Sequence, residues 1–284
     1  MVGLAQSETA HDNGGGRVMH PLLATALVMA ATWDAWRWYI SRVASAPEEA
    51  AALALTIVFL GVIGIARLSR TASSRPLPLV TVAVVLALYA ASHALLPPIA
   101  RAAIAVAATL FCLYHAAFSE RPPIAFWGMV VLALPVLPSL QFTLGYPMRV
   151  VSAALVVGLL QAQGLAVERQ GTFLLWRDET IQFDARCSGV NMLWAGLLLT
   201  LMGCALLRLD ATRVAIAVAL SVALTIAGNV LRASSLFYVE TGLVTQAPTW
   251  WHEGIGIAAF VLSAAITLWL LSRLRGREAT PCIT

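Results

Sequence analysis

Apolar runs of about twenty residues follow one another along nearly the whole chain, and runs of that length cross a bilayer as helices. They stand near 20–40, 51–67, 77–96, 100–118, 123–141, 147–166, 188–207, 213–237 and 254–272. Only 11% of the 284 residues are charged, against about 25% in soluble domains. The pattern predicts an all-α polytopic membrane protein. There is no internal repeat and no soluble stretch large enough to hold its own core. The chain therefore reads as a disordered polar lead over 1–19, a single transmembrane domain over 20–275 and a cytoplasmic tail over 276–284. The lead lacks the apolar core of a signal peptide. No basic tract or aromatic platform argues for nucleic acid.

Arginines set the orientation. Arg67, Arg70 and Arg75 crowd one loop, Arg208 and Arg213 flank another, and Arg273, Arg275 and Arg277 follow the last run. The positive-inside rule places all three groups in the cytoplasm. Seven apolar segments separate the first group from the last, and an odd number of full crossings cannot return to the same side. One segment is therefore expected to be broken. The candidate is 123–141, interrupted by Pro135 and Pro138, since irregular backbone at depth needs protein or a cavity to cover it. About eight transmembrane helices plus one broken segment is the resulting expectation.

Three polar residues then fall at one depth. Cys187 precedes Arg208 by 21 residues, Arg232 follows Arg213 by 19, and His252 precedes Arg273 by 21. At a helical rise of 1.5 Å these separations span roughly 28–32 Å, about one hydrocarbon thickness. Cys187, Arg232 and His252 should therefore all meet the extracytoplasmic face. Cys187 opens a helix, where the dipole and unpaired N–H groups favour thiolate. Arg232 lies inside an apolar run, a placement that costs about 2.5–3.5 kcal/mol and usually marks function, although snorkelling to the interface is the plain alternative. Asn229 stands three residues earlier on the same face. His252 follows the interfacial pair Trp250-Trp251 and could act as base and acid, or be a solvated loop histidine.

The remaining candidates have ordinary explanations. Cys112 and Cys204 lie inside apolar runs and read as small hydrophobes, and Cys282 is in the tail. His11 and His20 belong to the lead, while His93 and His115 have no matching nucleophile. Asp34 and Arg37 form an expected i,i+3 pair in the aromatic segment 33–39. No metal-ligand spacing or cofactor motif is present. The polar segment 167–186 places Phe173, Leu175, Ile181 and Phe183 in alternation around Arg177-Asp178-Glu179, which predicts a short extracytoplasmic β-hairpin before the helix that Cys187 opens.

At these residues the chain resembles the exosortase/archaeosortase family of membrane cysteine transpeptidases. The resemblance rests on Cys187-Ser188-Gly189 at a helix start, Asn229-Val230-Leu231-Arg232 near the end of the next helix, and His252 with Gly256 opening the last. It covers about 147–273, the part expected to be catalytic. Val190-Asn191-Met192 departs from the arginine-bearing version of common members. The resemblance implies Cys187 as nucleophile, Arg232 as stabiliser of thiolate or oxyanion, and His252 as acid and base. Asn229, Ser188 and Gly189 would support them. It further implies an inner-membrane enzyme open to the periplasm, needing no cofactor. Its clients would be exported proteins with a C-terminal, PEP-CTERM-like sorting signal, transferred to an amine acceptor or to water. A non-enzymatic transporter or scaffold, with Arg232 binding an anionic group, is the alternative from a different class.

Overall fold

A computed structural model describes residues 18–45, 47–68, 77–118, 121–177, 179–182, 188–244, 248 and 250–274. The expected polar lead up to residue 17, the tail from 275, and Cys187 with residues 183–186 lie outside the described residues. The described chain is mainly helical, with a few short strands, and resolves into two compact units.

The first unit holds residues 1–38 and 60–121. Strand β1 (Val18–Met19) pairs antiparallel with β2 (Leu77–Pro78). Helix α1 (Pro21–Ala31) starts with proline at its first position, where the missing N–H costs nothing. It stops at Thr32, whose hydroxyl donates to Val28 O at 2.8 Å, and α2 (Trp33–Ala44) follows at once. Helix α4 (Leu79–Leu95) ends before Pro97-Pro98, because a residue preceding proline is driven out of the helical region. Helix α5 (Pro98–Ala117) then begins on Pro98. Ala24, Val28, Leu77, Val82, Ala108 and Cys112 form this unit's core, so Cys112 is the small hydrophobe expected of it.

Asp34 corrects an expectation. Among the described residues its carboxylate pairs across helices, not with Arg37. It accepts from the Tyr89 hydroxyl and lies 3.5 Å from His93 Nε2 and 3.6 Å from Arg101 Nη1. Arg101 Nη1 is also 2.8 Å from His93 Nδ1. Four polar side chains of α2, α4 and α5 thus pair with one another, while Arg101 Nε is buried without a partner among the described residues.

The second unit holds residues 39–59 and 122–284, with α3 (Pro47–Leu68) shared between the two. Helix α6 (Ile124–Ala133) breaks at Leu134-Pro135-Val136, and α7 (Leu137–Ala162) continues from there, running through Pro147. Along α8 (Val190–Leu206) the broken pair keeps one direction. Gly128 packs on Leu201, Leu132 O accepts from Trp194 Nε1 at 3.2 Å, and Gln141 Nε2 donates to Asn191 Oδ1 at 2.6 Å. The expected break near the prolines is present, but it separates 124–133 from 137–162 and does not isolate 123–141 from 147–166.

Helices α9 (Ala211–Glu240) and α10 (Trp251–Leu274) complete the unit. Asp210 caps α9 by accepting from Arg213 N at 2.9 Å, and its carboxylate also meets Arg213 Nε at 3.2 Å. Small residues let the three helices approach, as in membrane bundles generally. Gly196 of α8 faces Thr225 of α9, Thr200 Oγ1 donates to Ser221 Oγ at 2.9 Å, and Gly203 faces Leu271 of α10.

Among the described residues, four helices are long and apolar enough to cross a membrane: Pro98–Ala116, Leu137–Ala162, Ala211–Glu240 and Trp251–Leu274. This supports a multi-pass, all-α membrane protein but does not reach the expected eight spans. The reason is local. The break at Thr32 leaves α1 short, and α4 and α8 reach only 17 residues each.

The expected hairpin, β4–β5, is two strands of a three-stranded antiparallel sheet: β3 (Val167–Gln170), β4 (Phe173–Trp176) and β5 (Glu179–Gln182). On β4 the buried face is opposite in parity to the one the alternation suggested, whereas Ile181 of β5 packs on the core. Leu174 and Trp176 are buried with Val167, whereas Phe173 is exposed. They pack on Val156 and Leu160 of α7 and on Val230, Ala233 and Phe237 of α9. The Trp176 and Phe237 rings meet edge to face at 5.6 Å. Phe183, the last residue of the expected alternation, lies outside the described residues.

Candidate functional site

Near the start of α8, side chains of α7, α8 and α9 come together. Ser188, covalently next to Cys187, is buried, and its hydroxyl accepts from Val190 N at 3.3 Å and donates to Gln141 Oε1 at 3.4 Å. Gly189 caps α8 in the left-handed region at φ 75°, a conformation that costs other residues roughly 1–2 kcal/mol. It is also pressed against Asn229: a Cβ at Gly189 would lie 2.8 Å from Asn229 Cγ. Asn229 is fully buried, and its Nδ2 donates to Ser152 Oγ of α7 at 3.0 Å. Backbone conformation and space therefore both demand glycine at the start of α8. Gly189→Ala should lower the unfolding midpoint by several degrees, read by thermal unfolding in detergent; an unchanged midpoint would refute this account of the turn.

One turn beyond Asn229, the half-buried Arg232 lies on bare backbone of α10. A Cβ at Gly256 would come 3.2 Å from Arg232 Nε and 3.8 Å from Cδ. His252 stands one turn before Gly256 on the same face of α10. Its Nδ1 is 3.9 Å from Glu240 Oε1, near the end of α9, and both side chains are about half exposed. A carboxylate there can orient the imidazole.

The structure thus joins Ser188 and Gly189 to Asn229 across α8 and α9, and Arg232 to Gly256 across α9 and α10, with His252 one turn away. Cys187 lies outside the described residues, so its distance to Arg232 or His252 is not part of this geometry. Sequence reasoning missed Gln141, Ser152, Asn191 and Glu240, which brace the expected residues. A polar residue inside an apolar run was the available signal for Gln141, Ser152 and Asn191. Among the described residues no group of three or more His, Cys, Asp or Glu could hold a metal ion.

Chemically the site offers a planar guanidinium half withdrawn from water and an exposed imidazole beside a carboxylate. A family model described as transmembrane exosortase matches residues 16–269. No curated protein and no solved structure matches the chain.

Proposed function

The chain belongs to the transmembrane exosortase family, and from that premise we propose that it is a protein-sorting transpeptidase of a bacterial inner membrane with Cys187 as its nucleophile. The observation that carries this reading is the packing of Gly189 on Asn229 and of Arg232 on Gly256, which gathers the polar ends of α8, α9 and α10 beside the residue that follows Cys187. The interrupted pairs α1–α2 and α6–α7 are taken as single crossings. The chain then crosses about eight times, all three arginine groups lie in the cytoplasm, and the site opens to the periplasm.

The Cys187 thiolate attacks the carbonyl carbon of a peptide bond in a C-terminal sorting signal, of the PEP-CTERM-like kind. A C–S bond forms and the carbonyl electron pair moves onto oxygen, where the Arg232 guanidinium holds the charge. As the tetrahedral species collapses the C–N bond breaks. His252, carrying the proton taken from the thiol, gives it to the leaving amine. The resulting thioester is opened by an amine acceptor, forming a new amide, or by water, forming a carboxylate.

Mass spectrometry tests the intermediate directly. Purified protein incubated with a tailed client should carry an adduct of the client's amino-terminal part that hydroxylamine removes and that Cys187→Ser lacks as a thioester. A client cleaved with no such adduct at early times, under rapid acid quench, would count against the acyl-enzyme.

A further inference from the structure

The three-stranded sheet has two edges, and they differ. Both of its turns are two residues long, since Gln170 pairs with Phe173 and Trp176 with Glu179. A two-residue hairpin closes on a pair that exchanges both backbone hydrogen bonds, and the direction then alternates along each strand. Glu179 and Ile181 of β5 therefore face β4, while Thr180 and Gln182 turn their N–H and C=O groups off the edge. By the same count Val167 and Arg169 face outward from β3. The contacts of Val167 agree: its O accepts from Gln161 Nε2 at 2.8 Å, and its N–H donates to Leu165 O at 3.0 Å.

The β3 edge is thus partly closed by its own chain. It also carries Glu168 and Arg169, charges of the kind that blunt a sheet edge. On β5, Thr180 and Gln182 are exposed, and among the described residues nothing pairs with their outward backbone groups. Position singles out the same edge. Ile181 packs on the cluster that includes Val230 and Ala233 of α9, the residues next in sequence to Asn229 and Arg232. Four residues separate Gln182 from Cys187, a reach of at most ~18 Å for extended chain. The open edge therefore belongs to the strand that runs on to the nucleophile.

We propose that the free edge of β5 is where the client docks: an extended segment beside the cleaved bond adds to the sheet as a fourth strand, bonded main chain to main chain with Thr180 and Gln182. The inference rests on the reading of the site as one that processes polypeptides. A peptide bond inside a helix is shielded from a nucleophile, whereas a strand laid on a sheet edge is held extended with every second amide engaged. Such a ladder reads backbone and not side chains. It accepts any segment that can extend and that lacks proline at the bonded positions.

Binding separates this idea from the chemistry. The probe is the tail peptide of a client that the wild-type chain cleaves, synthesised with one N-methyl group at a time on successive amides around the cleaved bond. Each methyl removes a donor and blocks a neighbouring strand. The peptides are titrated against the full chain carrying Cys187→Ala in nanodiscs of zwitterionic lipid. Affinity should fall at least tenfold at every second amide on one side of the cleaved bond and stay near the parent value between. Thr180→Pro, which removes an outward N–H that β4 does not use, should weaken the parent peptide at least tenfold at an unchanged unfolding midpoint. Arg169→Pro, the matching change on the β3 edge, should leave its affinity within twofold. Losses without alternation, or no losses, would overturn the proposal, as would full affinity for a folded Thr180→Pro chain. Cleavage of the parent peptide that survives Cys187→Ala would remove the transpeptidase reading and leave the alternation, and this proposal, standing.

Discussion

Cells expressing Cys187→Ala in place of the wild-type chain, at equal level and in a strain with no second enzyme of this family, should accumulate exported proteins that retain their C-terminal tails. The expected loss of processing is complete. An alanine cannot form the acyl bond, and no neighbouring group supplies a substitute: the next residue is Ser188, whose hydroxyl is buried and committed to Val190 N and Gln141. Cys112 and Cys204 are buried within apolar helices. Serine at position 187 should do no better, because a hydroxyl is a far weaker nucleophile than a thiol near neutral pH. Membrane proteomics of the two strains reads the effect and identifies the clients. Identical tail processing in both strains would sink the transpeptidase reading and leave Arg232 as an anion-binding residue of a transporter or scaffold.

The sequence made the site legible where chemistry conflicts with surroundings. An arginine, an asparagine and a Cys-Ser-Gly turn among apolar residues are costly, so their presence singled them out. Asn229 and Gly189 were read as supports, and the structure supplies the contact between them. Other features depended on tertiary distance. Asp34 was assigned to Arg37 because only local spacing was visible, whereas its partners Tyr89, His93 and Arg101 come from helices 55 or more residues away. The sheet's buried parity could not be read from Phe173-Leu174-Leu175-Trp176, four apolar residues in a row with no alternation. The break was expected from Pro135 and Pro138, but a second boundary was drawn between 141 and 147, where the structure has the continuous helix α7. Within a membrane bundle a helix can pass through proline, as α7 does at Pro147, since neighbouring groups satisfy the freed carbonyl.

Arg232→Lys keeps the charge and should still slow processing by about a hundredfold, within the range that loss of one oxyanion donor produces elsewhere. The argument is geometric. The guanidinium is flat and rests against α10 where Gly256 leaves the backbone bare, 3.2 Å from the position a Cβ would take. An ammonium on a flexible stem cannot lie in that slot, nor present two parallel donors to one oxygen. The complementary change, Gly256→Ala, fills the slot from the other side and should reproduce much of the loss with Arg232 intact. Combining the two should cost less than the product of the single effects, because both remove the same placement. Initial rates on a defined tailed peptide, with unfolding midpoints measured alongside, separate placement from misfolding. A lysine variant as fast as wild type would mean that only charge matters at this position, and Gly256 would then owe its identity to helix packing alone.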